Sequence, residues 1–208
     1  MTGQALPVIT INREYGAGGR ALAAVLSKEL DIPYYDRDFV AKTMEESGFD
    51  EEDIEREGEE LSKPSRVLND LLNSAVSYSS SHDAIFKAEK KVILKLAESP
   101  CILVGRCADH IIKEAGIDTV SVYLHAPREK RLKRTEELAE YGKMKPEKYM
   151  EERDSKRRNY YKYYTGREIT DASNYTFCFD VGKVSIPLCA QIIIDTIKNT
   201  DRTEGKQV

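Results

Sequence analysis

Uncharged, β-branched strands alternating with amphipathic helices predict a three-layer α/β domain, a parallel sheet with helices on both faces. Three observations carry that expectation. Val8-Ile9-Thr10-Ile11 has no charge and suits a strand buried on both sides. It passes through a glycine-rich bend into Ala21-Leu22-Ala23-Ala24-Val25-Leu26, whose apolar residues recur at helical spacing. The alternation then repeats: a strand over Cys101–Val104 with a helix over Ala108–Glu114, a strand over Thr119–Leu124 with a helix from Arg128, and a strand over Tyr175–Asp180 with a helix over Ile186–Ile197.

The elements between these follow from local signals. Pro33 opens a short edge strand that delivers Asp36 and Arg37 at its end. From Asp38 to about Ser99 the chain reads as helices: Phe39–Glu46, an acidic stretch over Glu51–Glu60, and Ser65–Val76 with Val67, Leu68, Leu71 and Leu72 on one face. After a Ser-rich break comes Asp83–Glu98, with Ile85, Phe86, Val92, Ile93 and Leu96 at helical spacing. Pro127 fits the first turn of the helix that carries Arg128, Lys130, Arg131, Lys133 and Arg134. Tyr141 to Gly166 is a charged, Tyr-rich excursion, and Asn199–Val208 reads as a disordered tail.

At 208 residues the chain is long enough for one well-buried domain with insertions. A net charge of −4 argues against general nucleic-acid coating. No apolar run approaches the ~20 residues that span a bilayer, and the N-terminus lacks the pattern of a signal peptide. The four cysteines (Cys101, Cys107, Cys178, Cys189) show no C-x-x-C spacing, so reduced, mostly buried thiols in a cytoplasmic protein are expected, and no zinc site.

Ligands of parallel sheets sit at the carboxyl ends of the strands. Those ends carry Arg13 to Arg20, Asp36-Arg37, Gly105-Arg106 and the arginines after Leu124, a cationic crevice suited to a polyanion. A charge at the end of a buried strand, such as Arg106, demands an anion. Arg13-Glu14-Tyr15-Gly16-Ala17-Gly18-Gly19-Arg20 joins strand to helix as a phosphate-cradling loop does, with glycines that let backbone N–H groups approach an anion. It departs from G-x-x-x-x-G-K-[ST]. With Gly18 as the last loop glycine, Arg13 replaces the first glycine, Gly19 the lysine and Arg20 the hydroxyl residue; shifted by one, Glu14 and Ala21 stand at the two ends. Neither register supplies the Mg²⁺-binding hydroxyl, and Arg20 is the expected substitute cation.

Together, Thr10–Arg20, Pro33-Tyr34-Tyr35-Asp36-Arg37, Val104-Gly105-Arg106 and Tyr164-Thr165-Gly166-Arg167 make the sequence resemble the cytidylate-kinase-like branch of the P-loop nucleoside monophosphate kinases, over nearly the whole chain. The resemblance implies a P-loop kinase core (1–37, 100–127, 168–198), a helical monophosphate-binding insertion (38–99) and a helical lid (128–167), followed by the tail 199–208. It implies ATP and Mg²⁺ as cofactors, small nucleotides as partners, and phosphoryl transfer to a small phosphate-bearing acceptor, CMP or dCMP by default. Gly16, Ala17, Gly18, Gly19 and Ala21, with Arg13 and Arg20, would hold the donor phosphates. Asp36 would orient the acceptor or hold Mg²⁺ through water, while Arg37 and Arg106 would grip the acceptor. Arg20, Arg131, Arg153 and Arg157 would stabilise the moving phosphoryl group. In an ungapped comparison Gly19 stands where the cytidylate kinases have lysine.

Other readings stand beside this one. The degenerate loop suits a nucleotide sensor without transferase activity, and the basic Arg153–Arg167 segment suits an RNA-associated protein. Arg128 to Arg134 also reads as a solvated helix face paired with Glu129, Glu136 and Glu137. Asp36-Arg37 reads as a local ion pair, and Tyr160, Tyr161, Tyr163 and Tyr164 as packing for the lid.

Overall fold

The computed structural model describes residues 6–36 and 81–200. Arg37, the expected helices between Phe39 and Val76, and the tail from 201 onward lie outside the described residues. The elements run β1 (Val8–Arg13), α1 (Gly19–Leu30), β2 (Tyr34–Tyr35), α2 (Ser81–Leu96), β3 (Ile102–Val104), α3 (Ala108–Glu114), β4 (Thr119–His125), α4 (Arg128–Leu138), α5 (Pro146–Thr165), β5 (Phe177–Asp180) and α6 (Ile186–Thr200). The five strands are parallel, in the order β2-β3-β1-β4-β5. Central β1 is opposed at Ile11 by Val104 on one side and by Val122 on the other. Its carboxyl end therefore opens at the middle of the sheet's rim.

Alternation along β1 divides the core in two. Ile9 and Ile11 face a cluster built with Leu22, Ala23 and Leu26 of α1 and Cys189, Ala190 and Ile193 of α6. On the other face, Val8, Leu103 and Tyr123 pack with Val92 and Ile93 of α2, Ile111 and Ile112 of α3, and Tyr160 and Tyr161 of α5. Each fully buried Ile or Leu contributes roughly 1.5–3 kcal/mol. The three-layer architecture read from the sequence is the one observed.

The differences are local. The last strand begins at Phe177 because a 3₁₀ turn at Ala172–Asn174 still occupies the chain just before it. The Tyr-rich excursion is a 20-residue helix, α5, opened by Pro146 and closed by Gly166 in a left-handed cap whose N–H donates to the Lys162 carbonyl. Asn199 and Thr200, expected in the tail, close α6. Cys101, Cys107 and Cys189 are buried and Cys178 is exposed, all as free thiols. Among the described residues no helix is long and apolar enough to cross a membrane.

Candidate active site

At the end of β1 the Glu14 amide still donates to the Leu124 carbonyl at 3.0 Å, and the Ala17 amide closes a turn onto the Glu14 carbonyl at 3.2 Å. Gly16 and Gly18 have φ of +78° and +86°, a backbone that side-chain-bearing residues rarely adopt. Gly18 is the N-cap of α1, and no side chain among the described residues caps that helix. Its first-turn amides therefore point out of the loop with no intrahelical acceptor, the arrangement that binds anions.

Guanidinium groups crowd this loop. The stem of Arg13 lies against Gly19, and its Nη2 is 3.6 Å from Asp36 Oδ1. Arg134 Nη1 sits 3.2 Å from where a Cβ on Gly18 would stand. Arg20 Nε donates to Asp36 Oδ2, and its Nη1 donates to Glu140 Oε1 at 2.9 Å. Glu140 Oε2 accepts the Tyr15 hydroxyl at 2.7 Å. Burial works against the charge of Arg20, but hydrogen bonding and attraction to Asp36, then Glu140, outweigh it and raise its pKa. The expected substitute cation is thus gripped by two carboxylates. Asp36 thus engages both Arg20 and Arg13, and its pairing with Arg37, read from the sequence, lies outside the described residues.

Arg131, expected over the moving phosphoryl group, is buried beneath the loop. Its Nη1 meets Asp154 Oδ2 at 2.5 Å and the Tyr15 carbonyl at 3.2 Å, and its Nε reaches Glu14 Oε2 at 3.2 Å. Asp154 Oδ1 also accepts the Tyr15 amide at 2.6 Å. Arg131 and Asp154 therefore staple the loop to α4 and α5. On the exposed side of α4, Arg128 pairs across the helix pair with Glu147 and Glu151 of α5. Arg157 stacks over the Tyr15 ring at 5.4 Å, with Nε and Nη1 buried and without a hydrogen-bond partner among the described residues. Arg153 stacks over Tyr149 at 5.0 Å.

At the end of β3, Gly105, Arg106 and Cys107 are left-handed in succession, with φ of +84°, +58° and +54°. For the two non-glycine residues this is strained backbone, roughly 1–3 kcal/mol each. Arg106 Nη1 donates to Glu89 Oε1 at 2.9 Å, and Glu89 Oε2 accepts the Tyr160 hydroxyl. The anion that Arg106 demanded is thus supplied by the protein itself, from α2. Beside it lies a shallow recess lined by Tyr35, Ile93, Leu103, Gly105 and Ala108. Beneath the rim, Asp109 accepts the Asn12 amide at 2.8 Å and the Tyr161 hydroxyl at 2.7 Å. Burial raises the Asp109 pKa, and those two hydrogen bonds oppose the rise. Tyr160 and Tyr161 thus tie α5 to α2 and α3 through the buried carboxylates of Glu89 and Asp109.

Sequence reading missed Arg134, Glu140, Glu89 and Asp109. Arg134 follows Arg131 by three residues, which places both on one helix face. Glu89 lies between Phe86 and Ile93 on the apolar stripe of α2, a readable signal of a buried carboxylate. Among the described residues no group of three or more His, Cys, Asp or Glu could hold a metal ion. Position 20 offers a guanidinium in place of a hydroxyl, and both Asp36 oxygens face guanidinium groups, so these residues do not form a metal site of their own.

Residues 8–183 match the model of the cytidylate kinase-like family. The chain belongs to that family. No protein with a curated description matches the chain in sequence. Among solved structures, an uncharacterized protein from Eubacterium ventriosum is similar at 21% identity and a TM-score of 0.69, over 93% of this chain and 99% of that one. Shikimate kinase from Acinetobacter baumannii, in complex with shikimate, is similar at 17% identity and a TM-score of 0.53, over 94% of each chain. A gluconokinase from Sinorhizobium meliloti is similar at 12% identity and a TM-score of 0.52, over 96% and 99%. The fold of this family member is therefore the P-loop kinase fold.

Proposed function

We propose that the chain transfers a phosphoryl group from ATP to a small phosphate-bearing acceptor, with CMP or dCMP the first to test. The observation that carries this reading is the loop over residues 14–19, two left-handed glycines at an uncapped helix N-terminus with Arg134 against Gly18 and Arg13 against Gly19. Backbone amides and guanidinium groups converging on one point fit a polyphosphate. Phosphoryl transfer asks of a protein mainly alignment and positive charge at the moving group.

In this reading the amides of Gly16 and of Gly18 to Ala21 take the donor phosphates, and the recess beside Arg106, with Asp36 and Arg37, takes the acceptor. Arg20 exchanges a carboxylate for phosphate oxygen. Arg153 and Arg157 approach from α5, while Arg131 holds the loop in shape. Mg²⁺ would arrive on the nucleotide's phosphates, since the described residues offer it no donor set. A cytoplasmic location suits such substrates.

The test is ADP release from ATP with a panel of nucleoside monophosphates. ADP should appear with at least one acceptor, CMP or dCMP foremost. ATP binding with no turnover on any acceptor overturns the transferase reading in favour of a nucleotide sensor. Nucleic-acid binding that falls steeply with salt and ignores ATP overturns both.

A further inference from the structure

At Gly19, where the G-x-x-x-x-G-K-[ST] loop has lysine, the space for a side chain is tight. A Cβ on Gly19 would stand 3.1 Å from Arg13 Cγ, 3.2 Å from Cδ and 3.4 Å from Nε. The stem of Arg13 lines the path by which a side chain at 19 would leave the helix, and would have to shift by a few tenths of an ångström to admit one. Beyond Gly19 the guanidinium runs on to Gly105, where a Cβ would collide with Nη1. Arg13 alternates with Ile9 and Ile11 along β1, so its side chain falls on the α1 face, and it is only 13% exposed. It spans from the first residue of α1 to the end of β3, the two rims assigned above to donor and acceptor.

We propose that Arg13 does the work of the loop lysine, the cation having moved from position 19 to position 13. Two departures from the loop motif, arginine in place of the first glycine and glycine in place of lysine, are then one exchange: the long side chain enters from the end of β1 and needs position 19 bare. A planar guanidinium donates in more than one direction, unlike a point ammonium. Arg13 can therefore contact donor and acceptor phosphates at once, with Asp36 Oδ1 fixing its Nη2 edge. This assignment rests on the phosphotransfer reading for the role of the acceptor, but not for the contact with the donor.

The experiment is calorimetric titration with ATP and with tripolyphosphate of the unmodified chain, Arg13→Ala, Gly19→Lys and the double variant Arg13→Gly/Gly19→Lys, with thermal unfolding to check each fold. Arg13→Ala should weaken both ligands by about 10- to 100-fold, the range for a lost charge-assisted contact. Gly19→Lys alone should melt lower and bind no better than Arg13→Ala. The double variant should regain near-native affinity. Native affinity in Arg13→Ala overturns the proposal, and so does a stable Gly19→Lys that binds as well as the double variant. If Arg13→Ala does not fold, the contrast between the Gly19→Lys single and double variants decides alone. If the binding pattern holds but no acceptor is phosphorylated, the transferase reading falls and Arg13 keeps its role. If transfer occurs and Arg13→Ala retains both affinity and rate, only the Arg13 assignment falls. An unmodified chain that binds neither ligand overturns both.

Discussion

Glu140 and Glu89 are each shared between a tyrosine hydroxyl and an arginine, yet they sit in opposite surroundings. Glu140 joins Tyr15 of the loop to Arg20, with side chains 28% and 48% exposed for the glutamate and the arginine. Glu89 joins Tyr160 of α5 to Arg106, with 1% and 15%. Water and phosphate can compete at the first constellation, where carboxylate and guanidinium are both wet. At the second, separating the pair would leave a charge stranded in the interior. One arrangement of groups thus does two jobs, an exchangeable clasp on the glycine loop and a permanent anchor under the end of β3. Burial alone decides which.

The largest effect should come from the anchor. Glu89→Ala leaves Arg106 buried without its carboxylate and the Tyr160 hydroxyl without an acceptor, which costs about 3–5 kcal/mol for such a broken buried pair. For a chain of this size that is a fall of roughly 10 °C in melting temperature, read by thermal unfolding. A fall within error of zero would place the two glutamates in one class and break the comparison.

Asp109 sharpens it, because it is a buried carboxylate held by the neutral donors Tyr161 and Asn12 and by backbone amides. Burial raises its pKa in the folded chain. Between the unfolded value, about 4, and the raised folded value, the folded state binds more protons than the unfolded one, so stability falls as pH rises, by at most ~1.4 kcal/mol per pH unit. That loss is complete above the folded pKa and absent below the unfolded one. Asp109→Asn should flatten this part of the curve of stability against pH, measured by urea unfolding from pH 4 upward. An unchanged slope would mean that the group titrates as an ordinary surface carboxylate.

These carboxylates also mark where the sequence stopped being legible. Strands β1, β3 and β4 and the loop could be read because their signals are local: β-branched runs, a glycine cluster, helical spacing immediately after. Arg106 could be read as a buried charge in need of an anion, and Glu89, between Phe86 and Ile93, as a carboxylate on an apolar stripe, but nothing local joins the two, which lie 17 residues apart on different elements. Arg131 read as a free cation of a lid because its partners Tyr15 and Asp154 are 116 and 23 residues distant. The grip of Glu140 on Arg20 spans 120 residues. Spacing predicts faces of helices; it does not predict which charges a fold brings together. The part of the site assembled by tertiary ion pairing was therefore the part missed, and Arg20 seemed freer than it is.

The smallest effect, and the most direct on ligand, belongs to the clasp. Glu140→Gln keeps an acceptor for the Tyr15 hydroxyl and removes one of the two negative charges on Arg20. Because the pair is half exposed, the stability change should stay within ~1 kcal/mol. Phosphate then competes with one carboxylate, Asp36, in place of two, so tripolyphosphate affinity measured by calorimetry should rise at low salt. The gain should shrink as ionic strength increases, since screening weakens an exposed charge pair more than a buried one. An affinity that falls instead would mean that Glu140 orders the loop for its ligand and does not stand in the ligand's place, and the exchangeable half of the comparison would have to be given up.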